Sequence, residues 1–313
     1  MTHLVSILSE HLLPNFLLAK EYTGKYNQHI FITTSRMSEN NIASRLCNVL
    51  EVEKELVKVI EVLEDDLPDI QCKLKKENFN RNDKYLVNLT GGTKIMSIAV
   101  FQHFFKYDTE FFYVPIATNK IENVSSGKSS PLNYRINVPE YLSLYGLSIA
   151  VSNLKNTQNV SKGEMFENFV FDCIRKAKNL YSEKNQIAQG VKIFRNHDEK
   201  QNDNEIDVMW TENNLLYVGE CKVSLWKPKE IDIYKRPINN PPEYLDEIMY
   251  KLSAISKDFG LRVNSYIFIK KGLQPNIFNE DRLRSIEKRM NILGIKGILN
   301  EKELLNINLL QKL

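Results

Sequence analysis

The stretch Tyr85–Phe105, YLVNLTGGTKIMSIAVFQHFF, passes from an apolar run through a polar turn into a second apolar run. Tyr85–Leu89 has the composition of a buried strand, and Ile95–Phe105 is long enough to be a helix. Between them, Thr90-Gly91-Gly92-Thr93-Lys94 makes the turn. Its glycines let the backbone bend sharply and leave N–H groups free. Those amides, the helix N-terminus and Lys94 suit an anion such as a phosphate. The GxxxxGK[ST] spacing of a Walker A loop is absent. A plain strand-to-helix turn fits the same five residues.

The same alternation extends to both sides. His3–Leu8, His29–Thr33 and Glu110–Pro115 read as strands, and a helix spans Glu39–Leu50. Leu56–Leu63 reads as a short strand or a helix end. Nearly continuous apolar strands alternating with helices predict an α/β fold with a parallel sheet covered on both faces. Ligands of such sheets bind at the carboxyl ends of the strands. Three polar loops lie there: Ser9–Asn15, Thr34–Ser38 and Thr90–Lys94. Residues 119–133 form a loop or hairpin tip, and Asn137–Gly146 a strand-to-helix connection. The polar segment Val151–Val160 links two halves, so domains are expected at 1–150 and 151–313.

In the second half, Ser161 and Glu164 have the spacing of a capping box. The helix they start runs to about Leu180 and buries Met165, Phe166, Phe169, Val170, Cys173 and Ile174. Glu167 stands beside that stripe. Helical glutamates are mostly solvated, so the pattern alone leaves Glu167 either in water or facing a sheet. Val191–Phe194 is a strand, and 195–204 a charged loop. Then comes NEIDVMWTENNLLYVGECK, residues 204–222. It predicts strands at Glu205–Trp210 and Leu215–Val223, joined by Thr211–Asn214. Side chains alternate along a strand, so Glu220 and Lys222 share a face. With Trp210 opposite Leu215, Asp207 would face Val218 and have Glu220 as its diagonal neighbour. Helices at 242–259 and 282–293, a strand at 265–269 and a terminal helix at 301–310 complete the chain.

Asp207, twelve intervening residues and Glu220-Cys221-Lys222 give D-x12-E-x-K. Hydrolysis of a phosphodiester needs an activated water, neutralised phosphoryl oxygens and a stabilised leaving oxygen. A divalent metal on hard oxygen ligands serves all three needs. Asp207, Glu220, the Cys221 carbonyl and Glu167 are the candidate metal ligands. Lys222 is placed to orient or deprotonate the water. A surface salt-bridge ladder among Glu205, Glu220 and Lys222 is the competing reading.

Composition excludes several classes. With 42% apolar and 26% charged residues the chain is an ordinary globular protein. No apolar run is long enough to span a bilayer, and the N-terminus reads as a strand, not a signal peptide. Cys47, Cys72, Cys173 and Cys221 form no CxxC pair and read as buried thiols in a reducing cytoplasm. The five histidines form no HExxH cluster, which disfavours zinc chemistry. Net charge is +3, with 16 basic against 17 acidic residues up to position 150 and 26 against 22 beyond it. A mildly basic second half permits nucleic-acid binding.

Glu164-Met165-Phe166-Glu167, Glu205-Ile206-Asp207 and Gly219-Glu220-Cys221-Lys222 together resemble the core of the PD-(D/E)xK nucleases, with Asn204-Glu205 in place of the Pro-Asp of that name. Asn88–Lys94 resembles the signature turn of the CARF domains, the Rossmann-like sensors of CRISPR ancillary proteins. Pro139–Leu142 with Tyr145-Gly146 resembles the segment that leaves such domains. The resemblance implies a CARF sensor at 1–150 and a restriction-endonuclease-like nuclease at 151–313. It implies a homodimer with one cyclic oligoadenylate, usually cyclic tetra-adenylate, across the two sensors. Binding would switch on cleavage of single-stranded RNA or DNA, or nicking of duplex DNA, with Mg²⁺ or Mn²⁺, in type III CRISPR antiviral defence. By position, Thr90, Gly91, Gly92, Thr93 and Lys94 would hold the ligand's phosphates. Glu10, Asn15, Ser35 and Arg36 would meet its adenosines. The alternative is a nucleotide-sensing regulator whose second domain binds nucleic acid or a partner without cutting.

Overall fold

The computed structural model describes residues 1–116, 118–151, 160–181, 184–195, 204–226, 241–260 and 262–313. Most of the expected link at 151–160 and of the charged loop at 195–204 lies outside them. The chain divides into two compact units, Met1–Ile136 with Ser143–Gly146, and Asn137–Leu142 with Leu147–Leu313.

The first unit is a sheet with helices on both faces. Its strands are β1 (Thr2–Ile7), β2 (Gln28–Thr33), β3 (Val57–Glu61), β4 (Lys84–Asn88), β5 (Asp108–Tyr113), β6 (Lys120–Asn123) and β7 (Lys128–Pro131). Their order is β3-β2-β1-β4-β5-β6-β7. The first five are parallel, while β6 and β7 pair antiparallel. Segment 56–63 thus resolves as a strand, and the tip at 119–133 as a short hairpin that extends the sheet. Helices α1 (Leu13–Glu21), α2 (Ser35–Glu39), α3 (Ile42–Leu50), α4 (Leu67–Lys76) and α5 (Lys94–Phe104) make the crossovers, and α6 (Val138–Leu144) follows. Sequence periodicity missed α4.

Both faces of the sheet are buried, as the apolar strands require. Val5, Ile7, Ile30, Ile32, Tyr85 and Val87 pack on Ile70 and Leu74 of α4 and on Met96, Val100 and Phe104 of α5. The intervening Leu4, Phe31 and Leu86 are buried on the opposite face. Strand order reverses at β1, between β2 and β4. Crossovers leave this point in opposite directions and open a crevice at the carboxyl ends of the strands. The turn after β4 closes tightly against β1: a Cβ on Gly91 would stand 1.8 Å from the Ile7 carbonyl oxygen.

The second unit has strands β8 (Ser148–Val151), β9 (Ile187–Phe194), β10 (Asn204–Glu212), β11 (Leu215–Lys222), β12 (Val263–Ile269) and β13 (Ile295–Asn300). They form one sheet in the order β13-β12-β11-β10-β9-β8. Helices α7 (Lys162–Lys178), α8 (Pro241–Ser256), α9 (Glu280–Leu293), α10 (Glu301–Leu304) and α11 (Ile307–Leu310) surround it. The capping box of α7 is formed, with Ser161 accepting from the Glu164 amide and Glu164 accepting from the Ser161 amide. Phe166, Val170 and Ile174 of α7 join a core with Val208, Trp210, Tyr217, Tyr266 and Phe268 of the sheet. Trp210 stacks on Tyr217 at 5.0 Å between ring centroids, and Tyr266 continues the ladder at 6.5 Å from Tyr217.

The hairpin corrects the expected register. Its strands reach Glu212 and start again at Leu215, so the turn holds two residues, Asn213 and Asn214, with φ of 50° and 62°. Two left-handed residues match the twist of a hairpin, and asparagine tolerates that conformation. Trp210 then pairs with Tyr217, and Val208 with Gly219. Asp207 therefore stands directly opposite Glu220, where the longer turn had placed Val218. The four thiols are free, as expected, but Cys72 is exposed on α4 instead of buried.

Gly91→Ala is expected to destabilise the first unit by about 1–3 kcal/mol, because the added methyl must displace β1 or the turn. Denaturant unfolding of the variant checks this; an unchanged midpoint would contradict the close approach.

Candidate active site and ligand cleft

Glu220 is 5% exposed near the end of β11. Isolating a carboxylate there would be costly, and cations meet it. The Lys222 Nζ lies 2.6 Å from its Oε1 and 3.2 Å from the Cys221 carbonyl oxygen. The same ammonium is 4.0 Å from Asp207 Oδ2. That Asp207 oxygen accepts the Cys221 N–H at 2.6 Å. Glu220, Lys222 and Asp207 thus share one cluster, with Lys222 reaching both carboxylates. Gly219 leaves room on the other face, where a Cβ would meet the Phe268 ring at 2.5 Å.

Burial, with Glu220 opposite, pushes the Asp207 carboxyl up to about 7, against the pull of Lys222 and the Cys221 N–H. Lys222 is also raised. Burial opposes its charge, but Glu220 and Asp207 outweigh that and strengthen its hold on its proton. Glu167 is half-buried, and its carboxyl is raised by burial and by Glu205, with Lys222 opposing. Glu167 stands in the field of this cluster but has no ion pair or hydrogen bond to it among the described residues. The Cys221 thiol is fully buried and pushed up by that burial, which leaves its backbone carbonyl as the ligand it can offer.

Helix α8 adds two groups that sequence reasoning missed. Lys251 Nζ stands 3.9 Å from Glu220 Oε1, and Tyr244 lies in the field of Lys222. The two are seven residues apart, two helical turns, and so share a face. That spacing was readable, but nothing in the sequence tied the helix to Glu220.

Among the described residues, no group of three or more His, Cys, Asp and Glu side chains forms a ready metal cage. The donor set is nevertheless hard and anionic. Two carboxylates and a carbonyl converge on the Lys222 ammonium, which stands in for a cation between them. Such oxygens suit Mg²⁺ or Mn²⁺.

In the first unit, a cleft of about 230 Å³ opens at the reversal point. Glu10, His11, Thr34, Arg36, Gly92 and Thr93 are among its lining residues. Glu10, from the loop after β1, and Arg36, in α2, pair at 2.5 Å. Thr93 accepts the Met96 N–H to cap α5 and donates to the Glu64 carbonyl. Glu64 also lines the cleft and was not foreseen.

The remaining expected residues stand differently. Thr90 is held within the turn: its N–H and hydroxyl both donate to Asn88, and its hydroxyl accepts from Val114. Gly91 is buried against β1, while Lys94 and Ser35 are exposed beside the cleft lining without forming part of it. Asn15 is fully buried and donates to Ile7, while accepting from Asn88. Asn15 braces the floor of the turn and has no surface to offer a ligand.

The raised Asp207 carboxyl has a signed consequence. A carboxylate with a folded value near 7 and an unfolded value near 3.8 makes stability fall as pH rises through that interval. Asp207→Asn keeps an oxygen for the Cys221 N–H and removes the charge. Without divalent metal, the variant is expected to melt above the wild type at pH 8, the gain shrinking toward pH 5. Thermal unfolding at both pH values checks this; a gain that grew toward pH 5 would refute it.

Comparison with known proteins separates the two units. Residues 3–141 match the family model of the Card1 CARF domain. No curated protein matches the chain. Among solved structures, Can2 from Sulfobacillus thermosulfidooxidans, in complex with cyclic tetra-adenylate, is 20% identical with a TM-score of 0.71, over 99% of this chain and 98% of that one. Protein VC1899 from Vibrio cholerae is 14% identical with a TM-score of 0.70, over 100% and 98% of the two chains. A type III CRISPR defence DNA nuclease activated by cyclic oligoadenylate is 13% identical with a TM-score of 0.60, over 86% of this chain and 45% of its own. The first unit thus carries a CARF domain, and the two units together have a fold shared end to end with Can2.

Proposed function

We propose that this chain is a CRISPR ancillary nuclease in which a cyclic oligoadenylate bound to the CARF domain switches on metal-assisted cleavage of single-stranded RNA or DNA by the second unit. The observation that carries the reading is Asp207 directly opposite buried Glu220, with the Lys222 ammonium reaching both. The likeness to Can2, solved with cyclic tetra-adenylate, supports the sensing half. The PD-(D/E)xK assignment, the homodimer, a cytoplasmic setting and a role in antiviral defence belong to the same proposal.

Asp207, Glu220 and the Cys221 carbonyl would hold Mg²⁺ or Mn²⁺. When bound, such an ion neutralises charge growing on the phosphoryl oxygens and acidifies water. Lys222, once its contact with Glu220 is relaxed, points a strongly held proton toward the phosphate and orients the attacking water. Glu167, with its raised carboxyl, is placed to accept a proton from a water beside the cluster. Lys251 keeps a second positive charge 3.9 Å from Glu220 Oε1.

In the CARF domain, Gly92, Thr93 and the start of α5 would face a ligand phosphate, with Lys94 adding charge from beside the cleft. The Glu10–Arg36 pair would have to open or shift to admit an adenosine. A ligand moves an equilibrium only by its preference for one arrangement over another, and opening this pair would provide the second arrangement.

The test is a panel of labelled DNA and RNA strands with each cyclic oligoadenylate, in Mg²⁺, Mn²⁺ or chelator. Cutting is expected only with metal and is expected to rise with cyclic tetra-adenylate. Glu220→Ala should abolish cutting while ligand binding persists, and Lys94→Ala should weaken activation. Undiminished cutting by Glu220→Ala would remove the active-site assignment. Tight nucleic-acid binding with no turnover under any condition would favour a regulator.

A further inference from the structure

A second cleft lies beside the Asp207–Glu220–Lys222 cluster. It measures about 100 Å³, and its lining includes Leu225, Trp226, Ile269, Lys271 and Phe278. Ile269 is the register partner of Lys222, so the cleft begins one strand away from that lysine. Lys270 donates its N–H to the Lys222 carbonyl, which fixes the two strand ends together. Trp226 follows Lys222 by four residues, a reach of at most about 14 Å along the chain.

Trp226 is 53% exposed, whereas its neighbour Leu225 and the facing Phe278 are buried. Its backbone is set by its N–H, which donates to the Ser224 hydroxyl at 3.0 Å. A large indole left half in water at the mouth of a cleft of mixed lining, beside Ser224 and Gln274 as well as Leu225 and Ile269, keeps a flat face available for a flat partner. Lys271 stands exposed at the rim and supplies positive charge. Apolar floor, aromatic face and rim cation are the parts of a subsite for single-stranded nucleic acid.

Resting on the proposed nuclease function, we propose that Trp226 stacks on a nucleobase flanking the scissile phosphate, with Lys271 meeting the adjoining backbone. The subsite accepts any base, because every base has a π-face. It favours single strands over duplex, because a base stacked between its neighbours within a duplex has no free face to offer.

The chain has two tryptophans, and Trp210 is fully buried. Trp210 also emits but is shielded from a bound strand, so quenching on binding reports on Trp226. The full-length Glu220→Gln variant, which should bind without cutting, is titrated with single-stranded DNA and RNA oligonucleotides in Mg²⁺ and cyclic tetra-adenylate. Binding is followed independently by anisotropy of a labelled strand. Quenching is expected on binding, absent with an abasic strand of equal length and lost when Trp226→Phe is added. With Glu220 restored, Trp226→Ala is expected to raise KM about tenfold with kcat little changed, and Trp226→Phe to recover most of the loss. Binding without quenching, or equal quenching by the abasic strand, overturns the subsite while leaving the nuclease reading intact. Absence of both binding and cleavage in the wild type overturns both.

Discussion

Glu220 is a carboxylate with almost no access to water, and lysines from two elements of the second unit stand against it. A buried anion is tolerated only beside cations and donors. Lys222 supplies the near cation, and Lys251 a more distant one from another element. The hairpin register then aggravates the cost by setting Asp207 opposite Glu220. Like charges on directly opposed strand residues repel. The protein answers by burying Asp207 with a raised carboxyl and by giving it the Cys221 N–H. Nothing in this cluster is economical for stability: well-packed apolar residues would serve a sheet better.

The first unit meets a different constraint, that of bringing two backbones together. The turn after β4 lies on the end of β1 so closely that Gly91 has no room for a side chain. Asn15 and Asn88, both buried, knit this contact by bonding Ile7, each other and the Thr90 N–H. These bonds consume polar groups that otherwise would look available to a ligand. What remains facing the cleft is Gly92 and Thr93, fixed in place by the network behind them. The rigidity of the turn and the openness of the cleft thus come from the same residues.

This division explains which features were legible in the sequence. Strands β1, β2 and β4 announced themselves because strands buried on both faces are apolar throughout, whereas the partly exposed β3 read equally as a helix end, and the Ser161–Glu164 capping box has a fixed spacing. D-x12-E-x-K was visible as a pattern, and its three side chains do meet. Its register was not visible, because Asn213 and Asn214 allow a two-residue turn as readily as a longer loop. Burial was also hidden: Asn15 has the composition of a loop residue and is wholly enclosed. Lys251 and Tyr244 could not be tied to Glu220, since contact between a helix and a strand end depends on packing across the sheet.

The position of Lys222 links the stability of the hairpin to its chemistry. A lysine held 2.6 Å from Glu220 satisfies the anion in the absence of any other cation. The same contact engages the oxygen that a divalent ion would need. Under the proposed function, proton, ammonium and metal would therefore compete for one set of oxygens: the proton through Asp207, the ammonium through Glu220. Each of the three neutralises charge, but only a divalent ion can do so while freeing Lys222 for another partner. A phosphate is the natural partner for a lysine so released, because it restores the negative charge that the ammonium gives up. In the proposed nuclease, filling the cluster with metal would thus create the need that a phosphodiester then meets.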